Sequence, residues 1–282
     1  MKFTQPTAEL FIPDGMPADQ ALARTTHLAV GAHQDDLEFM ALHGILECYQ
    51  KPDLWFTGVT VTDGRGSSRI HEYAGYTDDQ MQAARKHEQR KAAFVGEYAA
   101  MAQLDFPSAG VKTAGFRPVV EDLRRILESM RPKVIYTHNL ADKHDTHIGV
   151  VVALIEALRE LPPGRHPEKL YGCEVWRNLD WMVDEEKVLL DASPRENLSA
   201  ALMGIFDSQI SGGKRYDLAT IGRKRANATY LASHHSDNAR MLEYAMDLTP
   251  LIRDPKSDPV ALVERHLQRF AKDVTERIRR RL

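Results

Sequence analysis

Apolar residues along this chain fall into short β-branched runs that alternate with longer stretches of helical spacing. Thr26–Ala32 (THLAVGA) and Leu54–Thr62 (LWFTGVTVT) are apolar and bounded by polar turns, so each predicts a buried strand. Lys133–His138 (KVIYTH) predicts another, and Ala99–Leu104 a weaker one. Between them, Leu37–Tyr49 is apolar on nearly every side and reads as a buried helix. Gln80–Val95, capped by Thr77 or Asp78, and then Val119–Met130 and Ile148–Leu158, read as further helices. A long polar loop fills Gly64–Tyr76. Strands separated by helices at this spacing predict an α/β fold, a Rossmann-like, mostly parallel sheet flanked by helices.

Beyond Pro167 the rhythm changes. Lys169–Trp176 and Lys187–Leu190 predict extra strands, and the rest of the C-terminal third reads as helical. Val260, Val263, Leu267, Phe270, Val274 and Ile278 recur at three- and four-residue steps, which predicts a last helix with one stripe packed on the body. No compositional break divides the chain. The expectation is one domain over residues 1–282, with a core at about 26–238 and helices of 239–282 packed on it.

A net charge of −3 gives no broad positive field, which argues against nucleic acid as a partner. The basic run Arg277–Arg281 lies where cations complement the negative end of a helix dipole. No run approaches the ~18 apolar residues of a membrane span, and the start has no signal-peptide pattern, so no membrane span and a cytoplasmic location are expected. Cys48 and Cys173 are too few for a disulfide framework or a four-cysteine zinc site and read as free, buried thiols.

Ligands of open α/β sheets bind beyond the carboxyl ends of the strands, and two His-Asp clusters fall there. The first is His33-Gln34-Asp35-Asp36, after the first predicted strand; the second is Asp142-Lys143-His144-Asp145-Thr146-His147, after the strand ending at His138. Residues three apart share one side of a helical turn, so His33 with Asp36, and His144 with His147, each present a pair. Hydrolytic zinc takes three imidazole or carboxylate ligands and keeps one position for water, whose pKa falls to about 7. His33, Asp36 and His147 fill those three places. Asp35 points about 100° away on helical geometry and is left as general base for the bound water. His144 remains as oxyanion stabiliser or general acid. Imidazole and carboxylate accept Zn²⁺ or Fe²⁺.

Ala32-His33-Gln34-Asp35-Asp36-Leu37-Glu38 resembles the AHPDDxE signature of the PIG-L/LmbE-like zinc de-N-acetylases, and Asp142–His147 resembles their second histidine motif. Thr62–Gly66 looks like their glycine loop, Arg85-Lys86-His87-Glu88 followed by Gly96 like their RxxE helix, and His234-His235-Ser236-Asp237 like a variant of HxSQ. The resemblance covers roughly residues 26–238. It implies a Rossmann-like fold with zinc held by His33, Asp36 and His147, Asp35 as base and His144 as acid or oxyanion partner. It also implies removal of acetyl from N-acetylglucosamine conjugates or related amides. Gln34 replaces the usual proline and is expected to loosen the turn; Leu42-His43 replaces a frequent glycine pair and is expected to enlarge the pocket floor's side chains. Thr146 stands where many relatives have aspartate, so tuning of His144 passes to Asp145 or Asp142.

For substrate contacts, the guanidinium groups of Arg65 and Arg69 suit sugar hydroxyls or an anionic aglycone. Trp176 and Arg177 lie in a dense aromatic and charged segment suited to a sugar face, and His234 is placed at the pocket rim. His43 reads as a hydrogen-bonded core histidine. The expected partner is a small N-acetylated, sugar-like molecule, and a homo-oligomer stays open. Two rival readings remain: a metal-dependent phosphoesterase, and a non-catalytic sugar-binding module on the same scaffold. The second lacks a GxGxxG after the first strand.

Overall fold

In the computed structural model, which describes residues 1–282, the chain opens with β1 (Glu9–Phe11), α1 (Ala18–Ala23), β2 (His27–Gly31), α2 (Asp36–Met40), α3 (Leu42–Cys48) and β3 (Phe56–Thr62). The middle third holds α4 (Asp78–Val95), β4 (Ala100–Phe106), α5 (Ser108–Val111), α6 (Arg117–Glu128), β5 (Val134–His138), α7 (Asp145–Arg159) and β6 (Lys169–Cys173). Then follow β7 (Val188–Asp191), α8 (Glu196–Met203), α9 (Asp207–Ile210), α10 (Tyr216–Tyr230), β8 (Leu242–Asp247), α11 (Thr249–Arg253) and α12 (Pro259–Arg279). The eight strands form one sheet in the order β1-β4-β3-β2-β5-β6-β8-β7. β4, β3, β2, β5 and β6 are parallel, while β1, β8 and β7 pair antiparallel. The α/β, mostly parallel architecture expected from the hydropathy pattern is therefore present.

Helices cover both faces, which is why the central strands are buried almost throughout and read as continuous apolar runs. One layer packs Leu123, Leu154 and Ile252 of α6, α7 and α11 on the sheet; the other packs Leu42, Ile45 and Leu202 of α3 and α8. From β2 the chain proceeds outward through β3 and β4, then returns to place β5 on the other side of β2. This reversal opens a crevice between the carboxyl ends of β2 and β5, the position where open α/β sheets bind ligands. Both His-Asp clusters emerge there.

Several expectations need correction. Leu37–Tyr49 is two helices, broken at Ala41 with φ −124°. The break has a remote cause: the Glu243 carboxylate accepts the N–H groups of Leu42 and His43 at 3.2 and 2.9 Å, and the Lys224 ammonium donates to the Phe39 carbonyl and pairs with Glu243. That buried pair ends α2 and caps α3. β4 is a full interior strand, its small alanines fitting beneath the packed helices. Residues 239–282 are not all helical, because β8 enters the sheet between β6 and β7. The stripe on α12 does not pack on the body: Val260 and Ile278 are 62% and 55% exposed. The helix turns its Leu262 and His266 face inward instead, anchored by His266 Nδ1 against Glu186 at 2.6 Å and by Arg269 against the same carboxylate. Both cysteines are buried and free. No helix is long and apolar enough to cross a membrane.

Candidate metal centre

β2 ends in the turn that carries His33, Asp35 and Asp36. Asp36 opens α2, and its Oδ2 accepts the His33 N–H at 2.6 Å, closing the turn. Across the crevice, Asp142 organises the start of α7. Its Oδ1 accepts the His144 N–H at 2.9 Å, and its Oδ2 accepts from His147 Nδ1 at 3.0 Å. In the neutral ring this bond keeps the proton on Nδ1 and leaves Nε2, which is aimed at Asp36, as the free donor atom, the arrangement in which a carboxylate orients a metal-binding imidazole. The second cluster starts α7 at Asp145, three residues earlier than the apolar pattern shows, so His147 sits in the helix's first turn.

Three donor atoms converge: His33 Nδ1 lies 3.3 Å from Asp36 Oδ2, His147 Nε2 lies 3.6 Å from the same oxygen, and the two nitrogens are 3.2 Å apart. Zinc bonds of 2.0–2.1 Å arranged tetrahedrally require donor separations of roughly 3.3–3.4 Å. The donor set therefore fits a divalent cation. A second triple, His138, Asp142 and His147, is also close in space. It fits less well, because His138 Nε2 already accepts the Ala32 N–H at 2.8 Å and Asp142 is engaged with His147.

The electrostatics of the cluster follow from burial and charge pairing. Burial works to raise the Asp36 carboxyl, but His147 and His138 outweigh it and hold the group well below the usual carboxylate range. Burial lowers His33, and burial together with the neighbouring His147 brings His138 to about 4. For His147 burial is outweighed by Asp36 and Asp142, which raise it. A compact anion ringed by imidazoles is a suitable cradle for a cation.

Asp35 stands apart from the donors. It is 5% exposed, and burial pushes its carboxyl well above the usual range against the opposing pull of Arg85, whose guanidinium lies 3.4 Å away. Its φ is 106°, a left-handed conformation that costs a non-glycine residue about 1–3 kcal/mol. A buried amide from α4 restrains it: Gln89 Oε1 accepts the Asp35 N–H at 3.2 Å, while Gln89 Nε2 donates to Glu38 Oε1 at 2.8 Å. Tyr98 Oη donates to the same Glu38 oxygen at 2.7 Å, so the amide cannot usefully turn over. Releasing this restraint should let the carboxylate wander. Gln89→Leu is expected to keep its metal content and KM and to lose roughly 10- to 100-fold in kcat, read by steady-state kinetics beside metal analysis. An unchanged kcat would mean the strained turn holds itself.

A cavity of about 450 Å³ opens over the cluster, and His33, Asp35, Asp36, Asp142, His144, His147 and Trp176 all face it. His144 is exposed at its wall, its ring 4.8 Å from that of His147 and 4.6 Å from that of Trp176. Arg65 and Arg69 do not line it. Arg65 is held by Asp63 and Gln82 and Arg69 by Asp78 and the Tyr76 carbonyl, so both staple the loop to the start of α4. Arg177, Asp145 and His234 are exposed and lie outside the lining. Leu42 is buried in the core and His43 bonds the Asp191 carbonyl, so the floor is made by Phe39 and Met40 instead. Gln34 does not loosen its turn, because its Nε2 donates to the Thr62 carbonyl at 3.1 Å. Gly64, at φ 67°, is required beside it: a Cβ there would stand 2.3 Å from Gln34 Oε1. A wider groove of about 770 Å³ between α10 and α12 is lined by Asp180, Arg223, Tyr230 and Phe270 and is remote from these donors.

Arg85, His138, Gln89 and Lys214 join or support the site without having been singled out as its members. Arg85 was legible only as part of the RxxE resemblance, and His138 only as a strand end. Lys214 sits in a connection between helices, where no periodicity marks it.

Fold and donor set together define a candidate metal centre at the topological switch point of a Rossmann-like sheet. Residues 28–158, a little under half of the chain, match the PIG-L family, described as GlcNAc-PI de-N-acetylase, which bears out the resemblance carried by the two motifs. No curated protein sequence matches the chain. Among solved structures it is similar to the N,N'-diacetylchitobiose deacetylase of Pyrococcus horikoshii, with TM-score 0.64 and 15% identity over 82% of this chain and 86% of that one. It is similar to the zinc-inhibited form of teicoplanin deacetylase Orf2, with TM-score 0.58 and 14% identity over 79% of this chain and 97% of that one. It is also similar to GalB, the 4-carboxy-2-hydroxymuconate hydratase of Pseudomonas putida KT2440, with TM-score 0.56 and 14% identity over 79% and 95%. At such identities the likeness is one of fold.

Proposed function

We propose that this chain is a metal-dependent N-deacetylase acting on a small acetamido sugar conjugate. The observation that carries the reading is the convergence of His33, Asp36 and His147 beside a separate, buried Asp35, all facing one cavity. The family match over residues 28–158 supports the de-N-acetylase class. A divalent cation, zinc in the first instance, held by those three residues supplies Lewis acidity that polarises a carbonyl and lowers the pKa of water.

The chain's own groups do the rest. Asp35 accepts a proton from the attacking water as the new C–O bond forms, and returns it to the nitrogen as the C–N bond breaks, giving acetate and a free amine. Arg85 holds the carboxylate in place. Burial, and then His147, lower His144, which favours the neutral ring, and an N–H of that ring is placed to donate toward the amide oxygen as that oxygen gains charge. Trp176, next to His144, offers a face for the sugar.

His144→Ala should retain its metal and lose roughly 10²- to 10³-fold in kcat, the loss typical of one oxyanion donor. Near-normal turnover in that variant would remove His144 from the mechanism. The reading as a whole is tested by incubating zinc-loaded protein with N-acetylglucosamine glycosides and following new primary amine. The same scaffold carries a hydratase in GalB. No amine from any glycoside, with water added across an enol or alkene substrate instead, would replace the deacetylase reading.

A further inference from the structure

Glu174 follows β6 and is 5% exposed, yet no lysine, arginine or histidine nitrogen lies within 4.0 Å of its carboxylate. Carboxylates are seldom buried unless they are paired. Here the partners are backbone groups: Oε2 accepts the Arg177 N–H at 2.5 Å, and the N–H groups of Trp176 and Leu179 add to the stabilisation of its charge. Oε1 has no partner.

The turn gathered in this way is strained and fixed at its far end. Asn178 and Leu179 lie in the left-handed region at φ 58° and 53°, where a bulky residue such as Leu179 is an outlier. Asn178 and Asn227 of α10 exchange two amide bonds, of 2.7 and 3.0 Å, and Leu179 is wholly buried in the core. Between these anchors and β6 stands one half-buried aromatic, Trp176, on the cavity wall. Its ring lies 4.6 Å from that of His144 and 6.0 Å from that of Tyr216. The turn therefore sets where the indole stands.

We propose that Glu174 is a positioning residue, whose buried carboxylate gathers the turn Trp176–Leu179 and so holds the Trp176 indole beside His144, where the sugar is received. The sugar rests on the deacetylase reading; the placing of the indole does not. The gathering depends on charge, so it depends on pH. Burial first, and then Asp142, push the Glu174 carboxyl up to about 7. Arg223 and Lys224 of α10 and Glu243 and Tyr244 of β8 line the same small space of about 20 Å³, with Lys224 already committed to Glu243. Above that pH the carboxylate holds the turn; below it the protonated group accepts more weakly and the turn slackens.

The test follows Trp176 in zinc-loaded protein made with 5-fluorotryptophan, its fluorine resonance assigned by its loss in Trp176→Phe. In wild type that resonance should shift in a step near pH 7. His144 titrates beside the same ring, and its own step stays in Glu174→Gln; the Glu174 step should disappear there, and the resonance at pH 8 should leave its wild-type position. With the methyl glycoside of N-acetylglucosamine, Glu174→Gln should raise KM roughly five- to tenfold, about the size of one aromatic contact, with kcat moving far less. A resonance and a KM that both match wild type at pH 8 would overturn the proposal. So would a fall in kcat at unchanged KM, which would put Glu174 at the reacting atoms. Should Glu174→Gln fail to fold by circular dichroism, His144→Gln decides: a step near pH 7 that survives there supports the proposal, and its absence overturns it. A Trp176 resonance displaced in Glu174→Gln, with no amine released from any glycoside by wild type, would keep the positioning role and sink the deacetylase.

Discussion

Replacing His33, Asp36 or His147 by alanine removes the bound divalent cation and lowers turnover by on the order of 10³-fold or more, the several kcal/mol that Lewis-acid stabilisation contributes to such reactions. His138→Ala is the informative contrast. It faces the same cavity and lies 3.3 Å from Asp36, yet its Nε2 is taken by the Ala32 N–H, so its loss leaves the cation bound. Asp142→Asn falls between the two, because it perturbs the tautomer of His147 without deleting a donor; affinity for the metal should drop roughly 10- to 100-fold. Metal analysis after dialysis against a defined free-zinc buffer reads all five variants. Full occupancy in the three alanine variants of the first set would show that the donors are misassigned, and loss in His138→Ala would favour the second triple.

The Asp35→Asn variant is expected to hold its metal and to lose about 10²- to 10⁴-fold in kcat, the range for removing a general base. Asparagine keeps the shape and the contact with Arg85, and the backbone amide can still donate to Gln89, so the turn should survive. What disappears is the capacity to take a proton. Steady-state kinetics with metal analysis on the same preparation decides the matter: normal turnover would leave Asp35 as a buried partner of Arg85 and nothing more. KM should move little, because the carboxylate acts on the reacting atoms and not on the body of the substrate.

How much of this was legible along the chain differs by kind of feature. The parallel core was, because strands covered by helices on both faces must be apolar along their whole length, and Thr26–Ala32, Leu54–Thr62 and Lys133–His138 are. The donor clusters were legible because each lies within a few residues of a strand end, so local spacing carries the geometry. What depended on distant partners was hidden. Nothing near Ala41 announces that Lys224 and Glu243 interrupt the helix there, and the strand Leu242–Asp247 looks no more strand-like than the helices around it until it is paired with Lys169–Cys173. The stripe on the last helix has the right periodicity but the wrong face, since the contact of His266 with Glu186 holds another face of the helix inward. Substrate contacts were the least legible. Arginines in a polar loop looked free, and only the three-dimensional structure shows Arg65 and Arg69 occupied by Asp63, Gln82 and Asp78, with Lys214 left facing the cavity.

The central claim is that His33, Asp36 and His147 hold a cation that serves amide hydrolysis at Asp35. Acetate release from an N-acetylglucosamine conjugate, measured while zinc is titrated into metal-stripped protein, tests it most directly. Release should be absent without metal and should climb to a plateau at about one equivalent of zinc per chain, with one amine formed for each acetate. Acetate released at the full rate by the stripped protein, or none released at any zinc concentration from any acetylated conjugate, would contradict it.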